Sequence, residues 1–171
     1  MELAGKKIAI MAADLFNDYE FVYPYYRLQE AGAQVQVVGS SAPTTFHSKL
    51  GLSATSEAAA GNVSADDYHG LVIPGGYAPD IMRRDEFMVK LVKDIFNQGK
   101  PVGAICHAGW MLVSAGVLTG KECTSFFAIK DDMINAGGLW RDAEVVVDGN
   151  LITSRKPDDL PAFMKAFIAA F

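Results

Sequence analysis

Lys100-Pro101-Val102-Gly103-Ala104-Ile105-Cys106-His107-Ala108-Gly109-Trp110 changes character halfway along. Val102 to Ile105 reads as a buried strand. After the cysteine a helix pattern begins at once, with Trp110, Met111, Val113 and Val117 among its apolar positions. A strand that turns directly into a helix, with a nucleophile-type residue at the corner, is a nucleophile elbow. Open α/β sheets bind ligands at this C-terminal edge. A sulfur at a helix N-terminus, beside an imidazolium, is expected to shift from a pKa of about 8.5 into the ~3.5–7.5 range. The usual elbow carries glycine two residues on either side of the nucleophile. Here those places hold Ala104 and Ala108, with Gly103 and Gly109 one step further out.

Outward from the elbow, strands and helices alternate. Lys7 to Met11 reads as a strand apolar on both faces, so central and parallel. A helix is expected from Asp18 to Ala31, capped by Asn17 or Asp18 and stopped by Gly32, with Pro24 displacing its start or kinking it. Gln34 to Val38 completes a βαβ unit. A small hairpin is read over Thr44 to Leu52. Gly70 to Pro74 is a further buried strand, ended by Gly75-Gly76. Asp85 to Asn97 is an amphipathic helix, with Phe87, Met88, Leu91, Val92, Ile95 and Phe96 at helical spacing. Ala128 to Ala136 reads as a short helix. Glu144 to Val147 and Leu151 to Thr153 flank Asp148-Gly149, a hairpin signal. A last helix begins near Pro157, with Leu160, Phe163, Met164, Phe167, Ile168 and Phe171 as its stripe. The alternation implies an α/β three-layer sandwich around a mostly parallel sheet. No repeat or linker interrupts the 171 residues, which suit one domain over 1–171.

Composition excludes several classes of function. Half of the chain is apolar and a fifth is charged, the balance of a soluble globular protein. The net charge of -5, with no basic block, argues against nucleic acid as the main partner. No apolar run reaches membrane-spanning length, and the N-terminal Met1 to Lys7 lacks an apolar signal segment, so a cytoplasmic location is expected. Cys106 and Cys123 give neither a disulfide framework nor metal-ligand spacing, and no metal or cofactor is implied.

The chemistry-bearing residues each admit a plain alternative. Cys106 is either the nucleophile or a small buried hydrophobe. His107 adjoins it, although neighbouring side chains usually point apart. His69 and His47 read as structural or surface residues. Gly75-Gly76 supplies either a turn with φ > 0 or an N–H for a developing oxyanion. Glu20 suits the helix dipole whatever else it does. Asp131 and Asp132 read as a solvated helix end, and Phe126-Phe127 as core or pocket wall.

Together, Ala104-Ile-Cys-His107, Pro74-Gly-Gly76 and Phe16-Asn-Asp-Tyr-Glu20 resemble the PfpI family of intracellular proteases, in the superfamily of the Parkinson-disease deglycase. The likeness extends through Tyr23-Pro-Tyr-Tyr-Arg-Leu28, Asp131-Asp-Met-Ile-Asn-Ala-Gly137, Glu144-Val-Val-Val-Asp-Gly-Asn150, Thr153-Ser-Arg155 and Asp158-Asp-Leu-Pro161. The resemblance implies a flavodoxin-like, class I glutamine amidotransferase-like fold. It implies Cys106 as nucleophile, His107 as its partner, and Asp80 of a neighbouring subunit as the acid reaching that histidine. Glu20 would share its carboxyl proton with the sulfur, and the N–H groups of Gly76 and His107 would form the oxyanion hole. The substrate would be a small carbonyl compound or a peptide, and the assembly a homodimer or hexamer. A non-catalytic stress protein, either a cysteine redox sensor or a chaperone, is the alternative. The chain departs from the family pattern at Asn17 (often glutamate), Ala108-Gly109 (usually Gly-Pro), Phe126 (commonly tyrosine) and Asp80 (more often glutamate).

Overall fold

The computed structural model describes all 171 residues. The sheet is built from β1 (Lys7–Met11), β2 (Gln34–Gly39), β5 (Ala58–Ala59), β6 (Gly70–Ile73), β7 (Val102–Ile105), β10 (Val145–Asp148) and β11 (Leu151–Ser154). A hairpin of β3 (Thr44–His47) and β4 (Ser53–Ser56) lies apart from it, as does a short parallel pair, β8 (Glu122–Cys123) and β9 (Leu139–Trp140). The helices are α1 (Asp18–Glu30), α2 (Ala78–Met82), α3 (Glu86–Asn97), α4 (Gly109–Ala115), α5 (Lys130–Asn135) and α6 (Leu160–Ile168).

The seven strands run in the order β10-β11-β7-β6-β1-β2-β5. Every pairing is parallel except β10 with β11. The central strands β6 and β7 are buried at every position, because helices cover both faces. Ile73, at the end of β6, pairs with Ala104, the residue before the end of β7. The segments that leave these two strands therefore start side by side on one edge.

Local chemistry sets the helix ends. Asn17 Oδ1 accepts from the N–H groups of Tyr19 (3.1 Å) and Glu20 (3.3 Å), which fixes the start of α1. Gly32, at φ 96°, closes it: Gly32 N–H donates to Gln29 and Ala33 N–H to Leu28. Pro24 does not displace the start. It sits buried inside a continuous helix, where its missing N–H leaves the Glu20 carbonyl without a helical donor. Asp85 caps α3 by accepting from Phe87 and Met88. Met88, Leu91, Val92 and Ile95 form its buried stripe, whereas Phe87 is half exposed.

Several elements differ from the sequence reading. The hairpin reaches Ser56, not Leu52, and Lys49-Leu50-Gly51-Leu52 belongs to its connection. The segment 128–136 starts as a single 3-10 turn, Phe127–Ile129, before α5. Pro157–Asp159 is likewise a 3-10 turn leading into α6. α2, at five residues, is too short for its period to show, and β5, β8 and β9 are two residues each. No helix is long and apolar enough to cross a membrane.

The elbow strand tolerates little bulk on its α6 face. A Cβ on Gly103 would lie 2.9 Å from both Phe163 Cζ and Phe167 Cδ2. Gly103→Ala should therefore overpack this layer and destabilise the fold by about 1–3 kcal/mol. The expected result is a lower urea midpoint with an unchanged m-value.

Candidate active site

Three segments converge at the C-terminal edge of the sheet: the loop from β1 into α1, the turn after β6, and the corner after β7. The corner is abrupt. Ile105 is extended, Cys106 has φ 63°, and a 3-10 turn over Cys106–Ala108 passes into α4. A non-glycine residue in the left-handed region is costly and persists only where its surroundings hold it. Here the Phe126 N–H donates to the Cys106 carbonyl at 3.2 Å. The buried Ala108 and Gly109 let α4 pack closely, and a Cβ on Gly109 would meet Met133 Sδ at 2.5 Å.

Gly75 and Gly76 bind the other two segments together. Gly75 N–H donates to Glu20 Oε2 at 2.8 Å. A Cβ on Gly75 would lie 2.5 Å from that oxygen and 2.7 Å from Cys106 Cβ. Gly76 has φ 78°, and a Cβ there would strike Asn17 N and Leu15 O, each at 2.5 Å. Asn17 N–H donates to the Gly75 carbonyl (3.2 Å) and Tyr77 N–H to the Leu15 carbonyl (3.0 Å). Leu15 is itself at φ 64°, a second strained residue on the same rim.

The result is an open cavity of about 430 Å³ with Cys106 in its wall. Glu20, Gly76 and His107 line it with the cysteine, and so do Leu15, Asn17, Lys49, Tyr77, Trp110, Phe126, Lys156 and Pro157. The sequence reading thus finds Cys106, His107, Glu20 and Gly76 together. Asp80 is not among the lining residues. It lies on α2, where its carboxylate pairs with Arg84 one turn on, and that pairing holds it below the usual carboxylate range. Tyr77, Trp110, Lys49 and Lys156 had no motif to mark them. Asp132 accepts from Trp110 Nε1 at 2.8 Å, tying α5 to α4.

The electrostatics of the cysteine differ from expectation. His107 does reach its neighbour: Nδ1 lies 3.3 Å from Cys106 Sγ. The half-buried ring packs against Trp110 and Phe126, with both centroid distances 5.1 Å. Burial, and then the charge of Lys49, lower its pKa below the ordinary histidine value, so it is an imidazole at neutral pH and not an imidazolium. The helical turn that opens at the corner does reach the sulfur, through the His107 N–H, and it acts to lower the cysteine pKa. Of the two expected causes of a fall, the imidazolium is lost and the helical N–H is outweighed.

Glu20 takes their place. It is wholly buried, and burial raises its pKa to about 7 against the pull of the Gly75 N–H. Its Oε1 has no hydrogen-bond partner. Burial, then the charge of Glu20, push Cys106 up to about 12, while the N–H groups of Gly76 and His107 act in the opposite direction. The carboxyl and the thiol therefore compete for protons. When Glu20 is protonated its repulsion disappears, and the two N–H groups remain to favour a thiolate.

Residues 6–170 match the DJ-1/PfpI family. This chain belongs to that family. It is 47% identical over 162 residues to a deglycase of Pyrococcus abyssi, covering 95% of this chain and 97% of that one. It is 42% identical over 161 residues to protein/nucleic acid deglycase 2 of Escherichia coli, covering 93% and 94%. Among solved structures it resembles a two-domain protein of Anabaena variabilis that contains DJ-1/ThiJ/PfpI-like and ferritin-like domains. The TM-score is 0.94 at 42% identity, over 96% of this chain and 47% of that one. The family position fits the mostly parallel seven-stranded sheet with helices on both faces.

The buried carboxyl makes stability depend on pH. The folded chain holds Glu20's proton more tightly than the unfolded chain, from the ordinary value of 4.5 up to about 7. Its contribution is complete below 4.5 and is lost as pH rises through 7. Relative to Glu20→Gln, the wild type should lose up to about 3 kcal/mol between pH 4.5 and 8 in paired urea titrations. A flat difference curve would mean that Glu20 stays ionised in the folded chain.

Proposed function

We propose that this chain is a PfpI-type deglycase, a cysteine-dependent enzyme that acts on small carbonyl compounds and their adducts with amines. One observation supports this reading above the rest. Cys106 is held in a strained conformation with its sulfur among a buried carboxyl that has one unpaired oxygen, an imidazole and two N–H groups, at the wall of an open cavity. A redox sensor also needs an accessible thiolate, which the N–H groups would favour. It has no use for a cavity beside the sulfur with a second acid–base group, His107, positioned for proton transfer.

The chemistry follows from the arrangement. Cys106 Sγ adds to the carbonyl carbon, and the π pair moves onto oxygen, where the Gly76 and His107 N–H groups stabilise it. The thiol proton passes to the neutral Nδ1 of His107, or resides on Glu20 before attack. Either acid then protonates the oxygen, giving a hemithioacetal. From the hemithioacetal of a 2-oxoaldehyde, the same two groups move the C1 proton to C2 through an enediol, so that C1 is oxidised to a thioester as C2 is reduced to an alcohol, and water then cleaves the C–S bond to give a 2-hydroxy acid and the thiol. In an amine adduct they protonate nitrogen as the C–N bond breaks and the carbonyl re-forms, which releases the amine. A small cavity suits an oxoaldehyde or its adduct better than an extended peptide.

Asp80 enters this scheme from a second copy of the chain. It sits on α2, directly after the Gly75-Gly76-Tyr77 turn, and is partly exposed. In a symmetric pair, such a residue meets its counterpart's site reciprocally. We place the protein in the cytoplasm, where both cysteines stay reduced.

Turnover of methylglyoxal and of methylglyoxal-glycated amines tests the reading. Cys106→Ser should lower kcat/KM at least about 1000-fold. Undiminished activity in that variant would reject the mechanism. A mixing experiment tests the role of Asp80. Asp80→Ala and Cys106→Ser chains, each impaired alone, should recover up to about a quarter of wild-type activity when co-refolded as dimers, because one of the two sites in a mixed pair is intact.

A further inference from the structure

The cavity carries a cation that the reaction scheme above does not use. Lys49 lies in the connection between β3 and β4, and this connection is fastened to the loop ahead of α1. Lys49 N–H donates to the Phe16 carbonyl at 3.1 Å. The residues on either side of it are held by one buried carboxylate: the Ser48 hydroxyl and the Leu50 N–H both donate to Asp18. Leu52 N–H donates back to Ser48 Oγ at 2.8 Å, and His47 N–H donates to Asp14 at 2.8 Å. Asp18 stands in the first turn of α1, two residues before Glu20. The backbone of Lys49 is thus tied to the helix that supplies the site's carboxyl.

The charge itself is free. Lys49 makes no ion pair with any carboxylate of the chain. Lys156, the other lysine on the cavity, is paired with Asp158 at 3.2 Å. Asn17 lines the same cavity as a neutral amide, and its oxygen is used to cap α1. The other ionisable walls are Glu20, Cys106, His107 and Tyr77. The charge of Lys49 is felt by both Glu20 and His107. An exposed, unpaired ammonium on a fixed loop, lining the same small cavity as a nucleophile, attracts anions into it.

We propose that Lys49 makes this cavity selective for carbonyl compounds bearing a carboxylate beside the reacting carbon, with Asp18 as the positioning residue for its loop. The proposal rests on Cys106 being the attacking group. It goes beyond that reading in assigning the substrate a charge. A 2-oxo acid of glyoxylate size places its carboxylate on Lys49 while its carbonyl carbon meets the sulfur. A neutral oxoaldehyde of equal size leaves the ammonium without a partner.

Alkylation of Cys106 measures this without turnover. Iodoacetate and iodoacetamide have nearly the same shape and react alike: an S–C bond forms, the C–I bond breaks and iodide leaves. Both need the thiolate, so the ratio of their rates cancels any change in cysteine titration and reports the local charge alone. The rates are read by mass spectrometry of the Cys106 peptide from the full chain. N-acetylcysteine amide serves as the neutral reference thiol. The wild-type iodoacetate/iodoacetamide ratio should exceed the reference by about tenfold at low salt and shrink in about 0.5 M salt. Lys49→Met should bring it to the reference value, and Lys49→Arg should keep it. Glyoxylate should protect Cys106 from iodoacetamide at lower concentration than methylglyoxal does, and Lys49→Met should abolish that order. Equal ratios in wild type and Lys49→Met would overturn the proposal, as would a Cys106 closed to both reagents. A raised, Lys49-dependent ratio without carbonyl turnover would instead sink the enzyme reading and leave the anion selectivity standing. Turnover of methylglyoxal with no charge preference would do the reverse.

Discussion

The hydrogen bond from Gly75 N–H to Glu20 Oε2 is the constraint on which the edge of the sheet depends. It joins the first helix to the end of a central strand, and it does so with the cysteine of the neighbouring strand pressed against the same glycine. There is no room for a Cβ at Gly75, because the carboxylate and Cys106 Cβ already occupy that space. The parallel pairing of β6 and β7 brings the two turns together, and the absent side chain lets them touch. A single N–H cannot satisfy a buried carboxylate. Oε1 is left unpaired, and the acid responds by holding its proton toward neutrality. The chemistry of the site is therefore a consequence of packing: a carboxyl placed where solvent cannot reach it becomes a proton donor.

The strain at the rim has the same origin. Leu15 and Cys106 both have positive φ, and they lie on opposite sides of the Gly75-Gly76 turn. Each carbonyl is held by an N–H from a neighbouring segment: Leu15 by Tyr77, Cys106 by Phe126. Two strained residues of this kind cost on the order of 1–3 kcal/mol each. The buried layers of α3, α6 and the central strands offset that cost. The fold holds an unfavourable backbone in place so that two N–H groups and an acid face one sulfur.

Much of this was legible in the sequence. The buried runs at Lys7–Met11, Gly70–Ile73 and Val102–Ile105 declare themselves because parallel central strands are apolar on both faces. The stripes of α3 and α6 show because a one-sided helix must repeat its apolar positions. Cys106 stood out through its place between a strand and a helix. Other features carry no periodic signal. α2 is a helix of five residues, and β5, β8 and β9 depend on which neighbours they meet. Pro24 suggested a break that packing overrode, since the buried ring lies inside an unbroken helix. The hairpin reading starts correctly at Thr44 but stops at Leu52, short of Ser56, because Lys-Leu-Gly-Leu alternates like a strand, whereas Asp18 and Ser48 hold it as a turn.

The cysteine's electrostatics were the least legible part, for a reason that applies beyond this chain. Local sequence suggested a sulfur at a helix end beside an imidazolium, and both ideas concern neighbours in the chain. The group that governs the sulfur is Glu20, 86 residues away in sequence and brought close by strand order. Burial reverses the charge expected of His107, and burial keeps a proton on Glu20. Desolvation depends on the whole packed environment, so no motif contains it. The same argument separates Lys49 from every residue a motif could nominate. Its importance comes from what Asp18 does with its charge. Asp18 keeps its charge, but its oxygens are engaged by a hydroxyl and a backbone N–H, and it forms no contact ion pair with the ammonium next to them. A turn stabilised by an acid in this way leaves its lysine free to serve whatever enters the cavity.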